Sequence, residues 1–129
     1  MFQLTAIYLT SAILGIMFFF SFVVAPVTFT TLNEENARKF IRKIFPYYYN
    51  VNLGISILVT LIFVFIETFH LDFFLILSVA ILFALSNYVL MPLINKYRDN
   101  NQDKKFKLSH FISVIINFLQ MVFLIIILI

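Results

Sequence analysis

The segment LSHFISVIINFLQMVFLIIILI, residues 108–129, decides the fold, because it is a long apolar run without Asp, Glu, Lys or Arg. About 20 such residues in a helix cross the roughly 30 Å hydrocarbon core of a bilayer. Its most polar side chains recur at helical spacing: His110, Ser113, Asn117 and Gln120. At about 100° of rotation per residue they lie within an arc of roughly 80°. Because an unpartnered amide in lipid costs several kcal/mol, we predict that this polar stripe faces other helices.

The composition assigns the chain to the integral membrane proteins. Of its 129 residues, 63% are hydrophobic and 12% are charged, and the mean hydropathy is +1.04. A soluble domain carries about 25% charged residues. Cysteine is absent, which excludes disulfides, thiolate metal sites and cysteine nucleophiles. We predict a single transmembrane domain over residues 1–129.

Four apolar stretches are long enough to span a membrane, at about 4–25, 47–66, 73–91 and 108–129. The second and third are joined only by residues 67–72, which predicts an antiparallel helical hairpin with Asp72 as the N-cap of the third span. Strands of a membrane barrel would alternate in polarity, and these runs do not. The predicted fold class is therefore all-α, an integral membrane four-helix bundle.

The basic residues predict the orientation of the chain. All nine lie in the connections after the first and third spans: Arg38, Lys39, Arg42, Lys43, Lys96, Arg98, Lys104, Lys105 and Lys107. The positive-inside rule places both connections in the cytoplasm, with the N- and C-termini outside, in a cytoplasmic (inner) membrane. MFQLTAIYLT has no positive charge before its apolar run, so we expect the first span to be retained rather than cleaved as a signal peptide.

The first connection has a helical pattern of its own, over about residues 32–45. Apolar residues recur at helical spacing, at Ala37, Phe40, Ile41, Ile44 and Phe45, while charged residues take the other face. This pattern predicts a short cytoplasmic interfacial amphipathic helix, and the alternative is a solvated charged segment that happens to be helical. Thr31 and Glu34 are predicted to form a capping box, and Glu34–Arg38 and Glu35–Lys39 to form i,i+4 pairs.

Two further expectations concern the ends of the spans. Pro46 is predicted to mark the start of the second span. The second connection, residues 95–107, is polar and without a period, so we expect it to be mobile.

Other spans carry polar groups that match the stripe. Asn52, Ser56 and Thr60 follow one line on the second span, and Asn87 ends a small-residue face on the third. On the first span, Ser11 and Gly15 form a small-xxx-small pair that predicts close helix packing. We predict a polar cluster that opens toward the cytoplasm, with these candidate ligand-binding residues: Asn52, Asn87, His110, Ser113 and Asn117.

Two interpretations of this cluster remain open. Interhelical hydrogen bonds worth on the order of 0.6 kcal/mol each would only fix the packing. A small-molecule or ion site in the bundle would use the same groups for binding.

The cations are candidates for binding anionic lipid headgroups, at about 1 kcal/mol per nearby charge. This set comprises Arg38, Lys39, Arg42, Lys43, Lys104, Lys105 and Lys107. They flank spans and carry no recognition motif, so no nucleic-acid partner is predicted. The expected partner is the lipid bilayer.

No catalytic residue, metal site or cofactor is predicted. Nucleotide-binding, zinc-protease and nucleophile-elbow motifs are absent, so the sequence does not favour an enzyme. Glu67, His70 and Asp72 could form only a weak external metal site. His70 and His110 are predicted on opposite membrane faces, so one chain would not clamp a haem between them.

Four segments recur in a fixed order and spacing: FFFSFVVAPVTF (18–29), RKIFPYYYNVN (42–52), SNYVLMPLINKYRD (86–99) and FKLSHFISVIINFLQM (106–121). In these segments the chain resembles the small four-span family of unknown function typified by transmembrane protein 205. Family members often have glycine after the histidine, where this chain has Phe111. The resemblance implies a membrane bundle in which the polar stripe matters, and it implies no reaction.

Three functions are consistent with these residues. The first is binding or transport of a small polar solute or ion through the polar cluster, for which four spans would require a homodimer. The second is a structural or accessory membrane protein. The third is a membrane-embedded oxidoreductase with His110 as a haem ligand or base.

Overall fold

The computed structural model describes residues 1–129 and contains four long helices and no strand. They are α1 (Phe2–Thr31), α2 (Glu34–Phe65), α3 (Leu71–Asp99) and α4 (Asp103–Leu128). Each is long and apolar enough to cross a membrane. The predicted all-helical four-helix bundle is therefore confirmed.

The helices run up and down around a square. Each packs against its neighbours in sequence and α1 also packs against α4, whereas the diagonal pairs α1/α3 and α2/α4 have no Cα atoms within 8 Å of each other. The rings of Phe2 and Phe65 lie 5.2 Å apart at one end of the α1/α2 pair, and those of Phe20 and Tyr48 lie 4.3 Å apart toward the other. Both termini are therefore at one end. We call the opposite end, which carries all nine basic residues, the basic end.

The interior of the bundle is apolar and the outer surface is apolar too. Only 23 of the 129 residues are buried, and many large hydrophobic side chains are exposed around the outside. A protein in water would hide most of these side chains, whereas lipid solvates them without cost. The interior cluster includes Ile13, Met17, Phe20, Tyr48, Tyr49, Val59, Phe63, Ile76, Val79, Phe83, Met121 and Leu124.

Two helices continue through Pro26 and Pro92, which directly follow the predicted ends of the first and third spans. Immediately before Pro26, the Ala25 N–H donates to the Phe20 carbonyl, and immediately before Pro92, the Met91 N–H donates to the Ser86 carbonyl. Both bonds join residues five apart, so Phe20–Val24 and Ser86–Leu90 are π-helical turns. A proline ring clashes with the carbonyl four residues before it, and a wider turn accommodates the ring without ending the helix.

No helix begins at Pro46, because α2 is helical from Glu34 to Phe65. Residues 34–45 are helical as predicted, but they form the first turns of α2 rather than a separate helix. The predicted pairs Glu34–Arg38 and Glu35–Lys39 are present. The predicted capping box is wrong, since the Asn33 side chain accepts the N–H of Asn36 at 2.9 Å and caps the helix instead.

The ends of α3 and α4 also differ from the prediction. His70 occupies the N-cap position of α3 without a side-chain hydrogen bond, and Asp72 lies in the first turn. Helix α4 begins at Asp103 instead of Leu108, so residues 100–102 alone separate it from α3.

The small-xxx-small pair of α1 makes no close helix contact. Ser11 and Gly15 are exposed, and a Cβ atom added at Gly15 would meet nothing within 4 Å. The predicted packing role of this pair is therefore wrong for the single chain.

Candidate functional site

A cavity of about 540 Å³ lies at the basic end and is lined by all four helices. We call it the basic cavity. Its lining comprises Phe20, Ser21, Phe22, Ala25, Phe29, Arg38, Ile41, Arg42, Phe45, Tyr48, Tyr49, Met91, Ile94, Asn95, Arg98, Phe106, His110, Ser113, Val114, Asn117, Phe118 and Met121. Most of the wall is apolar, and the polar side chains are few and placed at particular points. Small-molecule sites in proteins have volumes of about 300–1,000 Å³ and a lining of this kind.

The π-helical turns explain why a cavity forms at this end. From the first turn onward, residues 20–31 of α1 have Cα atoms within 8 Å of α2 but of no other helix. After the second turn, residues 91–99 of α3 have Cα atoms within 8 Å of α4 but of no other helix. The bundle therefore separates here into an α1/α2 pair and an α3/α4 pair. The space between the two pairs is the basic cavity.

Tyr48 and Asn117 form the polar wall of the cavity. The Tyr48 hydroxyl donates to Asn117 Oδ1 at 2.9 Å, and Asn117 Nδ2 donates to Ser21 Oγ at 3.1 Å. These two bonds connect α2, α4 and α1, and they fix the orientation of the Asn117 amide. Asn117 is half-buried, so this wall remains open to the cavity.

Three arginines, Arg38, Arg42 and Arg98, line the polar end of the cavity. Arg42 binds both carboxylate oxygens of Asp99, at 2.6 and 3.3 Å, and Arg98 binds Glu34 at 3.0 Å. These ion pairs tie α2 to α3 on one side of the cavity.

The carboxylates of these ion pairs lie outside the cavity. Glu34 and Asp99 line a shallow groove on the outer surface, and no acidic side chain lines the basic cavity itself. Each guanidinium has five N–H donors, more than its ion pair uses. The lining of the cavity therefore offers unused N–H donors of the arginines and no competing carboxylate.

His110 and Ser113 lie on the α4 side of the cavity. The imidazole of His110 stacks on Phe106, with ring centroids 5.9 Å apart, and the Arg98 guanidinium lies 4.7 Å from the centre of the same Phe106 ring. The Ser113 hydroxyl donates to the backbone carbonyl of His110 at 2.6 Å. His110 is exposed and Ser113 is half-buried.

Asn52 and Gln120 lie in the packed part of the bundle and do not line the cavity. Asn52 is fully buried and its Nδ2 donates to the Tyr48 carbonyl at 2.9 Å, while its Oδ1 has no partner. Gln120 donates from Nε2 to the Val79 carbonyl at 3.1 Å. The prediction that the polar stripe faces the bundle is confirmed for Asn117 and Gln120, whose hydrogen bonds reach other helices.

Asn87 lies on a different face of the bundle. Its Nδ2 donates to Asn50 Oδ1 at 2.9 Å, and the Tyr88 hydroxyl donates to the same oxygen at 3.3 Å. Asn50 and Tyr88 are exposed. Of the five candidate ligand-binding residues, the structure thus brings His110, Ser113 and Asn117 together and leaves Asn52 and Asn87 apart.

The candidate headgroup-binding cations all lie at the basic end. Lys39 pairs with Glu35 at 2.9 Å, and Lys105 lies 5.7 Å from the centre of the Tyr97 ring. Lys43, Lys104 and Lys107 are exposed. Arg38 and Arg42 differ from these lysines, because they also line the cavity.

Among the cavity residues that were not predicted as site residues are Ser21, Tyr48, Arg98 and Phe106. Tyr48 carried a usable signal, since it lies four residues before Asn52 and so shares its helix face. Arg98 carried none, because its place at the cavity depends on the continuation of α3 through Pro92.

The cavity offers binding groups rather than a reactive constellation. Guanidinium, amide and hydroxyl groups bind anions and polar groups, and no carboxylate stands beside a histidine, serine or threonine in the lining. No three His, Cys, Asp or Glu side chains of the chain are grouped so that they could hold a metal ion.

A family model described as Domain of unknown function (DUF4149) matches residues 8–103. The matched region covers most of α1 and all of α2 and α3, and includes Ser21, Tyr48 and the three cavity arginines. No curated protein and no solved structure matches the chain. Because the match spans about three quarters of the sequence, this four-helix membrane protein belongs to the DUF4149 family.

Proposed function

We propose that the chain binds or transports a small polar solute or ion through the basic cavity. The single observation that carries the proposal is the lining, which contains three arginines and no carboxylate, since their partners Glu34 and Asp99 lie outside it. Such a cavity favours anionic ligands, because guanidinium groups bind carboxylates and phosphates through charged, often paired hydrogen bonds.

The hydrogen-bonded polar wall supports a ligand-binding role for these side chains in addition to helix packing. Asn117 is already held by Tyr48 and Ser21, so its amide is oriented before a ligand arrives. Preorganised groups bind more tightly because less conformational freedom is lost on association. The second N–H of the Asn117 amide is left free to donate to an anionic ligand and would set its orientation.

Ligand protection tests the proposal. The full chain in lipid nanodiscs is heated with inorganic phosphate, acetate, choline or potassium, and the unfolding temperature is recorded for each. We expect the two anions to raise it and the two cations to leave it unchanged. Absence of protection by every solute would contradict the proposal.

The amide variants give the matched comparison. We expect Asn117→Leu to fold and to weaken phosphate binding by about tenfold, the loss of one good charged hydrogen bond. Asn87→Leu, which removes an amide outside the cavity, should bind as the unchanged protein does. Equal binding by both variants would remove Asn117 from the site.

A structural or accessory role is the second candidate. It is supported by Gln120 and Asn117, whose hydrogen bonds to other helices need no ligand, and by exposed cations at one end that suit anionic headgroups. A membrane-embedded oxidoreductase has less support, because His110 lies at the basic end and His70 in the connection at the opposite end.

We also propose the placement of the chain in its membrane. The concentration of all nine cations at one end supports a cytoplasmic basic end in an inner membrane, with both termini outside. The charged and apolar faces of residues 34–45 support an interfacial position for the first turns of α2.

Two narrower proposals concern partners and relatives. The exposed hydrogen-bonded group of Asn50, Asn87 and Tyr88 supports a homodimer, since a second copy would shield these polar side chains from lipid. The four segments quoted above support a closer likeness to the family typified by transmembrane protein 205.

A further inference from the structure

Beyond the Asn117–Ser21 hydrogen bond, the basic cavity is open toward the bilayer on the side between α1 and α4. Every Cα atom of residues 20–31 lies more than 8 Å from every Cα atom of α4, although the earlier part of α1 packs against that helix. Aromatic side chains at this gap line the cavity and are also exposed on the outer surface: Phe22 by 66%, Phe29 by 60% and Phe118 by 65%. The opposite side, between α2 and α3, is crossed by the Arg42–Asp99 and Arg98–Glu34 ion pairs.

The charge of the cavity changes along its length. Arg38, Arg42 and Arg98 lie at the basic end, whereas toward the interior the wall carries no charge. There it is formed by apolar side chains such as Phe20, Phe118 and Met121 around the uncharged, hydrogen-bonded groups of the polar wall. Along α4 the lining runs from Phe106 to Met121, which is about 22 Å of helix. A cavity of about 540 Å³ with this extent is elongated rather than compact.

We infer that the basic cavity takes a single-chain anionic amphiphile from the bilayer, with its carboxylate or phosphate at the three arginines and its hydrocarbon chain along the apolar wall. The inference rests on the proposed function and specifies its ligand. Charge recognition at one end and hydrocarbon burial at the other each match one part of such a molecule. The gap between α1 and α4 gives its chain a path from lipid that never crosses water.

Three probes separate the contribution of the headgroup from that of the hydrocarbon chain. Oleoyl lysophosphatidic acid has a phosphate and an acyl chain, glycerol 3-phosphate has the phosphate alone, and monoolein has the acyl chain without the phosphate. Binding to the full chain is measured by native mass spectrometry from nanodiscs of zwitterionic lipid. We expect the first probe to bind at least about tenfold more tightly than either of the others.

Paired variants test the position of the headgroup. Arg42→Gln removes a cavity cation and the ion pair with Asp99, while Asp99→Asn removes the same ion pair and keeps the cation. We expect Arg42→Gln to weaken lysophosphatidic acid binding about tenfold and Asp99→Asn to leave it unchanged or stronger. Equal weakening by both would assign Arg42 a purely structural role and overturn the headgroup position.

A second pair of variants tests the path of the ligand's hydrocarbon chain. Ala25 lines the cavity at the gap, whereas Val23 is exposed and does not line it. We expect Ala25→Phe to weaken binding of lysophosphatidic acid and to spare glycerol 3-phosphate, while Val23→Phe changes neither.

The outcomes distinguish this inference from the proposed function. If glycerol 3-phosphate binds as tightly as the acylated probe, the cavity is a small-anion site, and the amphiphile inference fails while the proposed function stands. If monoolein binds equally well, the arginines do not select the ligand and the inference fails. If no probe binds, the amphiphile inference fails, and protection by phosphate or acetate then decides whether the proposed function stands.

Discussion

The hydroxyl of Tyr48 donates a 2.9 Å hydrogen bond to the side-chain carbonyl of Asn117, and this bond joins α2 to α4 across the diagonal of the bundle. The backbones of these two helices do not approach within 8 Å of each other. A side-chain hydrogen bond therefore connects two helices whose backbones are not in contact. It lies at the boundary between the packed interior and the basic cavity.

Tyr48→Phe and Asn117→Leu are expected to be coupled. In a double-mutant cycle, the coupling free energy should be about 0.6 kcal/mol and no more than about 1.7 kcal/mol, the range measured for hydrogen bonds between membrane helices. The free energy of unfolding is measured in mixed detergent micelles. Tyr88→Phe with Asn117→Leu serves as a control and should be additive, because Tyr88 bonds to Asn50 instead. Additivity of the Tyr48 pair would show that the bond across the diagonal does not form in the membrane.

The sequence was sufficient for the number and order of the helices, because lipid imposes length and hydropathy on each span. It was insufficient for their ends. Prolines 26, 46 and 92 normally mark boundaries, yet the helices pass through all three, twice with the help of a π-helical turn. Whether a proline ends a helix or widens a turn depends on packing between helices, which local sequence does not encode.

Asn52→Thr should leave the stability unchanged or raise it by up to about 1 kcal/mol. Asn52 is fully buried with an unpartnered Oδ1, and a buried acceptor without a partner costs about 1–3 kcal/mol. A threonine hydroxyl would instead donate to the carbonyl four residues earlier, as Thr60 does to Ser56 at 2.8 Å. The unfolding free energy in detergent is the measurement, with Asn52→Asp as a control that should destabilise strongly by placing a carboxyl in the same position. Destabilisation by threonine comparable to that of the control would indicate that Asn52 Oδ1 has a partner in the membrane.

The candidate site was only partly predictable for a related reason. Helical periodicity placed His110, Ser113 and Asn117 on one side of α4, and all three line the cavity. Asn87 was assigned to the same cluster, but it lies within the π-helical turn Ser86–Leu90 and bonds to Asn50. Periodicity orients a side chain on its own helix and does not specify which neighbouring side chain it meets, so the partner Asn50 could not be predicted.

Single cysteines should report the orientation of the chain, since the protein has none of its own. Asn100→Cys places a thiol in the short connection at the basic end, and His70→Cys places one in the connection at the other end. In intact cells, a membrane-impermeant maleimide is expected to label position 70 and not position 100. After permeabilisation both should react, which controls for buried thiols. Labelling of position 100 alone in intact cells would place the basic end outside.

Gly15→Ala and Gly54→Ala should each stabilise the protein by about 0.5–1 kcal/mol. Both glycines are exposed within helices, and a Cβ atom at either position would meet nothing within 4 Å. Alanine restricts the unfolded backbone and has a higher helix propensity, so the gain needs no new contact. The unfolding free energy of each variant is compared with that of Ala84→Gly, a change within α3 that should cost a similar amount. If the glycine variants lose stability, or dissociate as protein concentration falls while the unchanged protein does not, then another helix packs against these positions in a second copy.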